Sequence, residues 1–169
     1  ESLRHWKSQG HNFTAAELAA QAEKLPRNQI INTNDPRFAK PGAMPDRIAE
    51  YCVETGQAVP KTPAEFARCI FDSLADAYAH SLNELEDAAG IKVKEINIVG
   101  GGSSNSLLNQ LTADATGLPV LAGPVEATVL GNLIIQMMSA GWIKSLEEGR
   151  KLIAQTTERR EFQPHMVRS

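Results

Sequence analysis

The sequence predicts an α/β protein, rich in helix, with a few short and largely parallel strands. Three features point there: capping signatures opening amphipathic runs, a β-rich run that empties into three glycines ahead of a helix, and a second short strand returning after that helix. The 169 residues carry 17 basic and 20 acidic side chains, a formal charge of −3, with 42% hydrophobic residues. That balance suits a folded domain and argues against nucleic-acid or anionic-membrane partners, which favour basic surfaces. No stretch approaches the roughly 18 apolar residues of a membrane span, and Glu1 to Trp6 holds no signal-peptide core, so the expected compartment is the cytoplasm.

The chain opens on what reads as the tail of a helix, without an initiator Met, and the expectation is a piece of a longer polypeptide. Thr14-Ala-Ala-Glu17 is a capping box ahead of Leu18, Ala19, Ala22 and Leu25 at helical spacing, stopped by Pro26. Residues 30–45 are rich in Asn, Asp, Pro and Gly, which favour successive turns, and are expected to form an ordered loop anchored by Phe38 and Met44. A short helix from Asp46 to Thr55 follows, with Ile48 and Cys52 on one face. Thr62-Pro-Ala-Glu65 then opens the longest helix, with an apolar stripe of Phe66, Ile70, Leu74, Tyr78, Leu82 and Leu85 expected to face the core as far as Gly90. Arg68, Asp72, Asp76 and Glu84 lie off that stripe, in positions suited to solvation and i,i+4 pairing.

Ile96 to Val99 reads as a buried strand, and Pro119 to Leu121 as its parallel neighbour after the crossover helix that ends at Gly117. Helices from Glu126 to Ala140 and from Ser145 to Gln155 complete the chain, the second opened by Ser145-Leu-Glu-Glu148. Trp6 and Trp142 read as packing anchors, and Gly131 as a bald spot for close helix packing.

The chemistry concentrates at Gly100, Gly101 and Gly102. Glycines between a strand and a helix let backbone approach a ligand, and the helix start offers free N–H groups that suit phosphate. A tight turn that merely needs positive φ is the competing reading. G-x-x-x-x-G-K-[ST] is absent, and Asn105 stands where the third glycine of G-x-G-x-x-G belongs, so neither nucleotide fingerprint applies. Asn105 suits a ribose or base edge and a helix cap equally. Glu126 favours the first turn of its helix, with ordering of the glycine loop or contact to nucleotide-bound water as its lesser role. His5, His11, His80 and His165 are scattered, and no pattern nominates a catalytic residue or a metal site. Cys52 and Cys69 lack metal spacing and read as buried free thiols, a disulfide being the lesser alternative.

Val99-Gly-Gly-Gly-Ser-Ser-Asn105 followed by Leu107 to Gly117 and by Ala122-Gly-Pro-Val-Glu-Ala-Thr-Val-Leu-Gly-Asn132 resembles the C-terminal lobe of the FGGY carbohydrate kinases. Ile31-Asn-Thr-Asn-Asp-Pro-Arg-Phe38 with Pro41 and Met44, Thr55-Gly-Gln57 with Pro60, and Ala67 to Leu74 narrow it to the rhamnulokinase subgroup. The resemblance implies an actin-like, ribonuclease-H-like ATPase lobe over residues 1–169, truncated on its N-terminal side. It also implies a parent enzyme that moves the γ-phosphoryl of ATP, with Mg²⁺, to the 1-hydroxyl of L-rhamnulose. Gly100, Gly101 and Gly102 would line the nucleotide, with Ser103, Asn105 and Ser106 beside them. The sugar site and the general-base aspartate would belong to the N-terminal lobe, leaving this chain inactive alone, with no catalytic residue of its own. Cys52 and Cys69 match a pair bridged in a relative. A ketopentose kinase and a non-catalytic nucleotide-sensing or scaffolding module are the alternatives. Short strands with open edges lead to the expectation of a companion segment or an oligomer covering them.

Overall fold

The structure, a computed structural model, describes residues 1–165. The lobe reading extends to Ser169, so its last four residues lie outside the described ones. The chain divides into two compact units, Glu1–Ile91 and Lys92 onward. No described helix is long and apolar enough to cross a membrane.

The first unit holds helices α1 (Ser2–Ser8), α2 (Ala15–Ala22), α3 (Met44–Glu54) and α4 (Pro63–Ala89). The Thr14 box closes fully: Thr14 Oγ1 accepts from Glu17 N–H at 3.1 Å, and Glu17 accepts from Thr14 N–H at 2.8 Å, which holds its carboxyl below the usual range. At Thr62 the reciprocal arm reaches one residue further back, with Glu65 accepting from Lys61 N–H at 2.5 Å. Gly90 ends α4 in the left-handed region at φ +64°, which only glycine adopts without cost.

The core of this unit forms where Ile31, Ile48, Cys52 and Cys69 bury together, with Phe38 and Met44 packed against them as the loop anchors. Both cysteines are free thiols here. Burial pushes the Cys69 thiol up to about 12, with the neighbouring Cys52 adding to the shift, and raises Cys52 as well. Trp6 is buried, edge-on to Phe13 at 6.1 Å. The 30–45 loop is braced by Asp35, which accepts from Arg37 N–H at 2.9 Å, and by Arg47, which donates to the carbonyls of Arg37, Lys40 and Pro41.

Two expectations for α4 change. Its fully buried face is Ala67, Cys69, Asp72, Ser73 and Ala75, while Tyr78 and Leu85 of the apolar stripe are exposed. Phe66, Ile70, Leu74 and Leu82 of the stripe are half-buried. Arg68 and Asp72 do pair at i,i+4, at 2.7 Å, but inside the protein, and Arg68 also donates to Leu25 O at 2.6 Å and so serves the carbonyls that end α2.

The second unit holds β1 (Ile96–Ile98), a 3₁₀ turn (Gly100–Ser104), α5 (Ser106–Thr116), β2 (Val120–Ala122), α6 (Ala127–Ser139), α7 (Leu146–Thr156) and β3 (Arg160–Phe162). β1 and β2 are parallel, as the crossover demands, with Ile96 opposite Val120 and Ile98 opposite Ala122. β3 was not legible in the sequence: it adds antiparallel to β2, Ala122 opposite Arg160 and Val120 opposite Phe162, so the three-stranded sheet is mixed.

Here too packing departs from expectation. Trp142 is 75% exposed and so is not a packing anchor among the described residues, and a Cβ at Gly131 would meet open space. The close helix approach lies elsewhere, at Gly149 of α7, where a Cβ would sit 2.6 Å from Ile134 Cγ2 of α6. Val129, Leu133 and Ile135 of α6 are exposed among the described residues, the first two on one face and Ile135 on another.

Candidate functional site

Gly100 leaves the extended backbone of Val99 at φ +74°, turning the chain off the end of β1, and its N–H donates to Pro124 O at 3.0 Å. The turn is thereby tied to the Gly123–Val125 segment that follows β2. Gly123 itself, at φ +121°, leaves no room for a side chain, since a Cβ would lie 2.9 Å from Glu158 O.

Gly101 and Gly102 differ from Gly100. Neither has positive φ; a Cβ at Gly101 would meet nothing within 4 Å, and one at Gly102 would make ordinary contact with Ile98 at 3.7 Å. The protein's own packing therefore does not require glycine at either position. Both are exposed at the start of a turn that feeds α5, and the N–H of Gly101 finds no partner among the described residues.

The polar side chains are committed to holding this turn. Ser103, 2% exposed, donates from Oγ to Gly100 O at 2.7 Å. Asn105 Oδ1 accepts from Leu108 N–H at 3.1 Å and so caps α5. Ser106 Oγ accepts from Arg160 at 2.7 Å. Gly100, Gly101, Gly102, Ser103, Asn105 and Ser106 thus form one element, in which the side chains brace and the backbone faces out. Glu126 is exposed and makes no side-chain cap, and it is the backbone of Pro124 and Val125 that reaches the glycine turn.

Two residues of the site escaped sequence reasoning. Asn109, fully buried, donates to Ser103 O at 3.0 Å, and its own Oδ1 has no partner among the described residues. Its one signal was helical spacing, four positions after Asn105 and so on the same face, among other polar residues of α5. Arg160 donates to the same carbonyl at 2.6 Å. It carried no local signal, because only the pairing of β3 brings it here. The histidines stay dispersed: His80 pairs with Glu84 at 3.4 Å and His165 with Asp114 at 3.1 Å. Among the described residues no group of three or more His, Cys, Asp or Glu gathers to hold a metal.

Residues 1–140 match the FGGY family of carbohydrate kinases, C-terminal domain. The chain belongs to this family. Within it, the chain is 48% identical over 156 residues to a rhamnulokinase of Enterococcus faecalis, covering 90% of this chain and 31% of that protein. It is 45% identical over 143 residues to the rhamnulokinase of Halalkalibacterium halodurans, covering 85% of this chain and 31% of that one. This FGGY chain therefore spans about a third of the length of the curated relatives it matches. In three dimensions it resembles a crystal structure of xylulose kinase from Rhodospirillum rubrum, with a TM-score of 0.56 at 19% identity, over 90% of this chain and 30% of that one. The fold is that of a sugar-kinase lobe of actin-like type, helix-rich around a small mixed sheet.

Proposed function

We propose that this chain is the nucleotide-holding C-terminal part of a sugar kinase whose sugar is L-rhamnulose, phosphorylated on its 1-hydroxyl. The observation that carries the nucleotide half is the pair Gly101 and Gly102: both exposed and free of any internal steric demand for glycine, with the Gly101 N–H unpartnered among the described residues ahead of α5. Phosphate fits there, because a Cβ at Gly101 would stand in the open space a ligand needs and the helix start adds its positive dipole end.

In this reading Gly101 and Gly102 bind phosphate oxygens through backbone, Gly100 sets the direction of the turn, and Ser103, Asn105 and Ser106 keep it rigid. MgATP supplies the phosphoryl group when bound. The chain's residues orient it, and preorganised donors of this kind stabilise charge without rearranging during transfer. The sugar site and the general base are assigned to the rest of the parent polypeptide, so this chain alone is inactive. The choice of L-rhamnulose over a ketopentose is supported by the rhamnulokinases at 48% and 45% identity, whereas the xylulose kinase likeness speaks to fold.

Calorimetric titration of MgADP into the intact parent and into this chain, each with Gly101→Val as control, tests the nucleotide reading. The expected result is binding by the parent that the β-branched side chain weakens at least about tenfold, or about 1.4 kcal/mol. Equal binding by wild type and variant would make the turn purely structural and favour the scaffolding alternative. Turnover by the parent on a sugar panel then tests the sugar, and a preference for D-xylulose over L-rhamnulose would overturn that half.

A further inference from the structure

The family match ends at residue 140, yet the strand that completes the sheet lies beyond it, and one of its side chains reaches the glycine turn. The register of β3 decides which one. With Ala122 opposite Arg160 and Val120 opposite Phe162, residues 160 and 162 share one face of the sheet and Glu161 takes the other. Arg160 thereby reaches the start of α5, donating through Nη2 to Ser103 O at 2.6 Å and through Nη1 to Ser106 Oγ at 2.7 Å. Its guanidinium lies over the Phe162 ring, 5.8 Å from the centroid, an arrangement that steadies the fork.

The Ser103 carbonyl is therefore held by two donors, buried Asn109 of α5 at 3.0 Å and Arg160 of β3 at 2.6 Å. Asn109 acts from inside the helix it belongs to, so Arg160 is the brace that comes from a different element. Its two bonds span the junction between the 3₁₀ turn and α5, the joint whose angle sets where the N–H groups of Gly101 and Gly102 point. A planar fork suits this task because it fixes two acceptors relative to one another, which a lysine cannot do.

We propose that Arg160 is a positioning residue for the phosphate-facing turn, supplied by a C-terminal strand outside the family-matched region. The proposal rests on the nucleotide reading of that turn. Removing the fork releases the 103–106 joint, so binding of the phosphates weakens while the sugar site is untouched. Hydrogen bonds from a charged group contribute enough that loss of the pair corresponds to about a tenfold change in nucleotide affinity.

The test uses the intact parent enzyme with Arg160→Ala, Arg160→Lys and Gly101→Val, measuring KM for MgATP and for the sugar, Kd for MgADP, and Tm. Arg160→Ala is expected to raise KM for MgATP and Kd for MgADP about tenfold with sugar KM unchanged, and Arg160→Lys to recover only part of the loss. Full recovery by lysine would show that a point charge suffices and would overturn the positioning role. So would nucleotide and sugar constants that shift together with a fallen Tm, the mark of a merely structural residue. Wild-type nucleotide constants in Arg160→Ala, alongside weakened binding in Gly101→Val, would sink this proposal and leave the nucleotide reading standing. Binding indifferent to Gly101→Val would instead sink that reading.

Discussion

The loop at residues 30–45 and the turn at residues 100–104 are both irregular and both tightly held, but they spend their polar groups differently. In the loop, Asp35 takes the N–H of Arg37, Arg37 pairs with Asp35 at 3.0 Å and Glu54 at 2.6 Å, and Arg47 serves three carbonyls. Its bonds close on the loop and on α3, and the apolar side chains beneath it, Phe38 and Met44, close on the core. In the turn, Ser103, Asn105, Asn109 and Arg160 also bond inward, yet the N–H of Gly101 stays open among the described residues, and Gly101 and Gly102 are exposed. A segment whose side chains bond back onto itself contributes stability, and a turn braced in the same way but with an exposed backbone donor keeps that donor available to solvent or a ligand.

That contrast makes the first unit the place where substitutions should act on stability, and the largest effect should come from its centre. Ile48 is 1% exposed and touches the cluster of Ile31, Cys52 and Cys69. Ile48→Ala removes buried methyl and methylene groups and leaves a cavity, at a cost of about 2–5 kcal/mol. Urea denaturation should show the unfolding free energy falling by that amount and the midpoint falling with it, with hydrogen exchange of α3 and α4 amides accelerating. A loss under about 1 kcal/mol would mean the cluster is looser than its burial implies.

The thiols of the same cluster give the next, pH-dependent effect. Folding raises the pKa of Cys69 to about 12 and raises that of Cys52, chiefly by burial, so the folded state keeps protons that the unfolded chain gives up at its ordinary values. As pH rises above about 9 the unfolded state binds fewer protons than the folded one, and stability falls with pH over that window; below it the contribution is flat. Denaturation midpoints of wild type and Cys69→Ala at pH 8, 9.5 and 10.5 check this. The wild type should lose the larger share, and parallel slopes would count against a perturbed thiol.

The sequence made much of this architecture legible because local chemistry decides it. Thr14, Thr62 and Ser145 each accept from the N–H three residues on, and Gly90 and Gly117 stop their helices in the left-handed region. The parallel pairing of β1 and β2 followed from the crossover alone. What could not be read was which apolar face another element would cover. Tyr78, Leu85 and Trp142 carry the right side chains for burial, but helical period names a face and not its partner. β3 stayed hidden for the complementary reason: Arg160-Glu-Phe162 has no apolar alternation, and its role comes from pairing with β2. The candidate site divides in the same way. The glycines stood out at once, whereas Arg160 sits 54 residues from its Ser106 partner and announces itself only through strand register.

The smallest effects come from two helix glycines that sequence periodicity alone would treat alike. Gly149 is buried in α7, and a Cβ there would lie 2.6 Å from Cγ2, 2.8 Å from Cδ1 and 3.2 Å from Cγ1 of Ile134. Rotating the Ile134 side chain exchanges one branch for the other, because a β-branched residue keeps a heavy atom on either side of Cβ, so the helices themselves must separate. Overpacking of this kind costs about 1–3 kcal/mol, which outweighs the roughly 1 kcal/mol a helix gains on replacing Gly by Ala. Gly131 is exposed in α6 with nothing within 4 Å of its added Cβ, so Gly131→Ala keeps the propensity gain and loses nothing. Gly149→Ala should therefore lower the unfolding free energy and Gly131→Ala should raise it, the latter by about 0.5–1 kcal/mol, read from denaturant unfolding. In the intact parent the second sign becomes informative in its own right. If Gly131→Ala stabilises this chain but destabilises the parent, the exposed face of α6 is covered there by another segment at a distance only glycine permits, and the same sign in both would place Gly131 at open surface throughout.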